Sequence, residues 1–157
     1  MSFIKTGRCL CGEIEYQITA EPLFTHACHC NACQKITGTS HWLSMFMLDS
    51  DFEITQGELD TINPPQKYGI ATKHFCAKCG SNIYGTHTML PKIKLPATGT
   101  FDDNTWFAPE AHIHVQSKPA WITISGDAPQ FDTFYQREEV WPQESLDRLS
   151  AALAEIE

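Results

Sequence analysis

Seven cysteines gathered in three short clusters limit what this chain can fold into more than any other feature of it. Cys9 and Cys11 stand in Gly-Arg-Cys-Leu-Cys-Gly, Cys28, Cys30 and Cys33 in Ala-Cys-His-Cys-Asn-Ala-Cys, and Cys76 and Cys79 in Phe-Cys-Ala-Lys-Cys-Gly. An odd number cannot all close into disulfides, and every cysteine lies within three residues of another, the spacing of chelating turns. Reduced thiolates so placed ask for a soft or borderline metal, of which zinc is the commonest. Zinc takes four ligands when structural and three plus an open position when catalytic, so seven divides as four plus three. Gly12 follows Cys11 and Gly80 follows Cys79, a small residue that lets backbone amides turn toward sulfur, whereas Gln34 follows Cys33. The spacing therefore pairs Cys9 and Cys11 with Cys76 and Cys79. It leaves Cys28, Cys30 and Cys33 as a triad able to hold a second metal with one position vacant.

Spacing alone leaves two other readings of the triad: a second structural zinc closed by His29 or another residue, and a redox pair such as Cys30 with Cys33. His29 sits between two ligands and is expected to point away from a metal they share. Among the other histidines only His112 and His114 have a metal-like spacing; in a strand they face one side, where packing or exposure explains them.

A length of 157 residues with 42% hydrophobic and 19% charged residues is that of one globular domain, which excludes wholesale disorder, collagen and coiled coil. Eleven basic against nineteen acidic residues give a net charge of -8, the wrong sign for gripping a phosphate backbone, so nucleic acid is not an expected partner. No apolar run approaches the roughly 20 residues that span a bilayer, and Met-Ser-Phe-Ile-Lys lacks the apolar segment of a signal peptide. The expectation is a soluble, cytoplasmic protein with no membrane partner.

Short alternating or apolar stretches punctuated by Gly, Pro, Asn and Asp predict a mainly β, mostly antiparallel fold. Strands are predicted at 13–19, 41–48, 52–55, 66–75, 82–86, 112–116 and 120–124. The stretch from Pro91 to Pro109 reads as a long loop that covers a site. Residues 31–37 read as one short helical turn ended by Gly38, and the tail, about 144–156, as a helix with Leu146, Leu149, Leu153 and Ile156 on one stripe.

Three thiolates around Zn²⁺ leave the unit at a charge of about -1, a weak Lewis acid that makes hydroxide less readily than zinc held by neutral histidines. Such a centre suits a fourth soft ligand, a substrate thiol, deprotonated and poised to make or break a carbon–sulfur bond. No Ser–His–Asp motif, Gly-rich phosphate loop or H-E-x-x-H helix offers a rival chemistry.

Gly-Arg-Cys-Leu-Cys-Gly, Cys-His-Cys-Asn-Ala-Cys-Gln-Lys-Ile-Thr-Gly and Phe-Cys-Ala-Lys-Cys-Gly-Ser, in that order, resemble the glutathione-dependent formaldehyde-activating enzyme family, also called the centromere protein V/GFA domain. Ala97-Thr98-Gly99-Thr100-Phe101-Asp102-Asp103 and the stretch from His112 to Trp121 are similar as well, so the likeness covers about residues 5–130. The resemblance implies a single-domain β-tent over 1–157, zinc-ribbon-like knuckles joined to antiparallel sheets, with a C-terminal extension carrying the helix. It implies two zinc ions per chain, one structural on Cys9, Cys11, Cys76 and Cys79 and one catalytic on Cys28, Cys30 and Cys33. The implied activity is that of a zinc-dependent carbon–sulfur lyase, S-hydroxymethylglutathione-synthase-like, whose partners are a small thiol such as glutathione and an aldehyde such as formaldehyde. Arg8, Lys35 and Lys118 are candidates for the carboxylates of glutathione, though each also reads as solvated surface. The alternative is a non-catalytic zinc-stabilised binding module on the same fold.

Overall fold

The computed structural model describes residues 2–65 and 71–156. Among the described residues ten strands and three α-helices carry the fold. The strands are β1 (Lys5–Arg8), β2 (Glu15–Ile18), β3 (Phe24–Cys28), β4 (Trp42–Leu48), β5 (Phe52–Gln56), β6 (Asp60–Ile62), β7 (Thr72–Phe75), β8 (Asn82–Thr86), β9 (Ile93–Pro96) and β10 (Ala111–Ile113). The helices are α1 (Asn31–Thr37), α2 (Arg137–Val140) and α3 (Gln143–Ala154). The fold is therefore mainly β. No helix among the described residues is long and apolar enough to cross a membrane.

Two sheets form. The smaller has the order β1-β2-β5, and the larger β10-β3-β4-β9-β8-β7-β6. Among the described residues all pairings between these strands are antiparallel except β10 on β3, which is parallel and sets Ile113 beside Cys28. Strand β4 organises the packing. Its successive side chains point to opposite faces, and both faces are buried. Met45 and Met47 enter a core with Ile14, Tyr16, Ile18 and Phe52 of the smaller sheet and with Cys9 and Cys76. Phe46 and Leu48 enter a second core with Phe24, Cys28, Tyr135, Trp141 and Leu149. The larger sheet is thus the middle layer, with the smaller sheet on one side and the C-terminal segment on the other.

Helix α3 begins after Pro142, which cannot donate a hydrogen bond and stands where none is needed. Leu149 is buried, while Leu146 and Leu153 pack at the margin of the second core. The helix is pinned by Arg148, whose Nη2 donates to the Glu21 carbonyl at 3.0 Å and to Asp51 Oδ2 at 3.2 Å. Burying Leu149 and Trp141 contributes about 1.5–3 kcal/mol each. The apolar stripe is one residue shorter than predicted, since Ile156 lies past the helix end and is exposed.

Several sequence-based boundaries need correction. The Pro91 to Pro109 stretch is not all loop: it contains the central strand β9, paired to both β4 and β8. Residues 120–124 form no strand. Ile122 N–H bonds the Pro119 carbonyl in a turn, and Trp121 is 77% exposed. The strand predicted at 112–116 stops at Ile113, because His114 adopts left-handed backbone (φ 53°) and opens a 3₁₀ turn over Val115–Ser117. Of the strand predicted at 66–75, the part at 72–75 is β7; residues 66–70 lie outside those described.

Candidate metal centre and its cavity

The seven cysteines are brought together as four and three. The Sγ atoms of Cys9, Cys11, Cys76 and Cys79 all lie within 4.8 Å of one another, and so do those of Cys28, Cys30 and Cys33. Both groups could hold a metal ion, and an all-sulfur donor set is consistent with zinc.

The four-sulfur group is built from two tight turns. One follows β1, the other follows β7. In each, a glycine past the second cysteine takes left-handed backbone (Gly12 φ 78°, Gly80 φ 76°) and returns its N–H to the first cysteine's carbonyl, at 3.1 and 2.8 Å. Sulfurs at the usual zinc–sulfur bond length of about 2.3 Å stand roughly 3.8 Å apart in a tetrahedron. The Cys9–Cys11 and Cys11–Cys76 separations are 3.5 and 3.8 Å. The surrounding donors also favour thiolate. Ile14 N–H points at Cys9 Sγ from 3.2 Å. Ser81 Oγ lies 3.3 Å from Cys79 Sγ, and the hydrogen bonds from the Ser81 side chain and backbone hold Cys79 down to about 5. With one turn on each sheet, this group joins the two sheets at the edge of the core they share.

The triad has a different setting. Cys28 ends β3, and Cys30 caps α1, its Sγ accepting the Cys33 N–H at 3.3 Å. Helix α1 ends at Gly38 in left-handed backbone, as read from sequence. Gln34 ties the turn down, its side-chain amide donating to the His29 and Ser117 carbonyls at 2.8 and 2.9 Å. A hydrogen bond from the Cys33 thiol holds Cys28 down to about 6 against the opposing effect of burial, and the same contact drives Cys33 upward. The charge that settles on these three sulfurs is what a cation among them would neutralise.

Histidines surround the triad without joining it. His29 turns away, as expected from its place between two ligands, and its Nε2 lies 3.1 Å from His112 Nδ1 in a buried pair. His114 does not share that face, because the strand has already ended; it lines a cavity beside the triad instead.

That cavity, of about 280 Å³, lies between the larger sheet and the C-terminal segment. Cys28, Cys30 and Cys33 open onto it, with His26, His87 and His114 among its polar groups and Phe46, Leu95 and Trp141 among its apolar ones. No Asp or Glu appears among the described residues that line it, although the chain carries a net charge of -8. Burial and the neighbouring His114 push the His26 imidazole down to about 3, and burial pushes Tyr135 up to about 12. The far wall, with Phe134, Tyr135, Arg137 and Trp141, had no signature in the sequence analysis. A buried Trp–Tyr pair close to a helix start gives no periodic or motif signal of a site.

The three cations considered for substrate carboxylates are not in this cavity. Arg8 is engaged by Asp102 at 2.8 Å, Lys118 donates to the Ile122 carbonyl, and Lys35 is exposed on α1. Arg137 is the cation that does line it, its guanidinium 4.9 Å over the Trp141 ring.

No curated protein matches the chain. Among solved structures, a crystal structure of a Rhodobacter sphaeroides protein determined by structural genomics superposes with a TM-score of 0.51. It is 18% identical and covers 80% of this chain and 98% of its own, a likeness of fold. The family model described as glutathione-dependent formaldehyde-activating enzyme matches residues 4–117, which take in both cysteine groups. The chain accordingly belongs to the glutathione-dependent formaldehyde-activating enzyme family.

Proposed function

We propose that this chain is a zinc-dependent carbon–sulfur lyase that joins a small thiol to an aldehyde, or separates them, at Cys28, Cys30 and Cys33. The observation that carries this reading is the triad itself. Three sulfurs within 4.8 Å, with no fourth His, Cys, Asp or Glu donor in the group among the described residues, face a cavity sized for a small molecule. Cys9, Cys11, Cys76 and Cys79 would hold a structural zinc, and the triad a second, catalytic one. Zinc held by three thiolates lowers the pKa of a thiol offered as its fourth ligand.

The remaining work belongs to the protein. Phe46, Leu95 and Trp141 give the cavity dry walls that strengthen electrostatic interactions inside it. Arg137 supplies positive charge where the lining carries no carboxylate, so the favoured thiol bears a carboxylate of its own, as glutathione does. Arg137 and Trp141 lie beyond the family-matched residues 4–117. Choice of thiol therefore belongs to the C-terminal extension and the chemistry to the matched core.

Metal analysis followed by thiol titration of the cobalt-substituted protein tests this. The expected result is two metals per chain, the spectrum of one responding to glutathione, together with an S-hydroxymethyl adduct detected by NMR when formaldehyde is added. A thiol-insensitive spectrum and no adduct above the spontaneous rate refute it.

A further inference from the structure

We propose that His26 is a catalytic residue of this reaction, donating a hydrogen bond from Nε2–H to the aldehyde oxygen in a tautomer imposed by Trp141 through Tyr135; the proposal rests on the function given above. An indole N–H can only donate. Trp141 Nε1 lies 3.0 Å from Tyr135 Oη, so Tyr135 is the acceptor of that contact. Its own phenolic proton is buried and needs an acceptor in turn. Among the described residues the other partner of Tyr135 Oη is His26 Nδ1, at 2.8 Å. Tyr135 therefore donates to Nδ1, which leaves the imidazole proton on Nε2.

The imidazole lines the same cavity as the cysteine triad. His26 and Cys28 stand two residues apart on β3, so their side chains leave the same face of the strand roughly 7 Å apart, and both line the cavity. Phe46 and Phe134 hold the imidazole edge to face at 5.0 and 5.8 Å. Ring position and tautomer are thus fixed before any substrate arrives, the condition under which one hydrogen-bond donor contributes most to a developing negative charge.

The step balances without proton exchange at His26. The thiol loses its proton to solvent on binding, and its sulfur adds to the carbonyl carbon. A C–S bond forms as the C=O π pair moves onto oxygen, where Nε2–H meets the growing charge. Solvent returns a proton to that oxygen, and the product is the hemithioacetal, an S-hydroxyalkyl thioether. The reverse reaction uses the same contact. A neutral imidazole serving as donor to such an oxygen is established chemistry in other enzymes. Tyr135 and Trp141 act through His26 and are positioning residues.

Two measurements test this. Imidazole ¹⁵N spectra of the wild-type protein are expected to show His26 protonated at Nε2 and bare at Nδ1, and Tyr135→Phe to populate both tautomers. With glutathione and formaldehyde, His26→Phe is expected to lower kcat about a hundredfold. Its affinity for glutathione, read from the cobalt-substituted spectrum, should stay within about twofold. If His26→Phe fails to fold, Tyr135→Phe carries the kinetic test with an expected loss of about tenfold. A proton on Nδ1 in the wild type, or a kcat for both variants within about threefold of wild type, overturns the assignment. A wild type that forms no adduct overturns the function itself and the donor role with it, an outcome recognised before any variant is made.

Discussion

Removing one sulfur from each cysteine group is expected to have unequal consequences. Cys76 is 1% exposed in the core between the sheets, and Cys76→Ser removes one sulfur from the four-cysteine group proposed to hold the structural zinc. Apparent binding free energies for structural zinc are roughly 10–16 kcal/mol, while whole domains have a net stability of about 5–15 kcal/mol. Loss of that site removes the larger quantity. Cys76→Ser should therefore show no cooperative melt at 25 °C and above. Cys30 is different, because its sulfur caps α1 and a serine oxygen is as good a cap. Gln34 still anchors the helix to the His29 and Ser117 carbonyls. Compared with wild type loaded with zinc at the four-cysteine group alone, Cys30→Ser should cost no more than about 1 kcal/mol, or roughly 2–4 °C in Tm. Circular-dichroism melts with zinc content by mass spectrometry decide the matter: one zinc and a sharp transition for Cys30→Ser, neither for Cys76→Ser. Equal losses in the two variants would refute the division of labour between the groups.

Three further outcomes follow from the contacts described. A Cβ on Gly7 would stand 2.3 Å from the Tyr16 ring and hydroxyl and 2.6 Å from the Thr100 carbonyl, so Gly7→Ala should destabilise by about 1–3 kcal/mol in urea titration. Hydrogen bonds from Arg8 and Thr6 hold the Asp102 carboxyl below its ordinary value. A depressed folded-state pKa means that the stability from this pair is present above the unfolded value near ~3.9 and is lost as pH falls through the folded one. Asp102→Asn should accordingly flatten the fall of Tm with pH below about 4. Arg137→Gln should weaken glutathione more than a thiol without carboxylates, such as cysteamine, in the cobalt titration; equal weakening would remove Arg137 from the site.

Much of the site was legible because cysteine spacing encodes it locally. Two C-G turns mark the knuckles, and Cys30 to Gly38 already contains a cap, a helical turn and its stop. What sequence could not supply depends on non-local neighbours. β3 is buried at every position, so it has no alternation to read, and it mixes Thr25 and His26 with apolar residues. β9 ends in Pro96, which reads as a breaker, yet a missing N–H is harmless in the last residue of a strand. Residues 120–124 have the β-branched composition of a strand but join no strand among the described residues. The parallel partnership of β10 with β3 and the cavity wall at Tyr135, Arg137 and Trp141 are set by tertiary packing alone.

The double burial of β4 leaves a partition one strand thick between the four-cysteine group and the cavity beside the triad. Odd-numbered positions of that partition belong to one compartment and even-numbered ones to the other. Side chains on the cavity side can therefore be exchanged while the compartment of the four-cysteine group keeps its packing. Such a division allows a small scaffold to vary what it accepts without renegotiating how it stands.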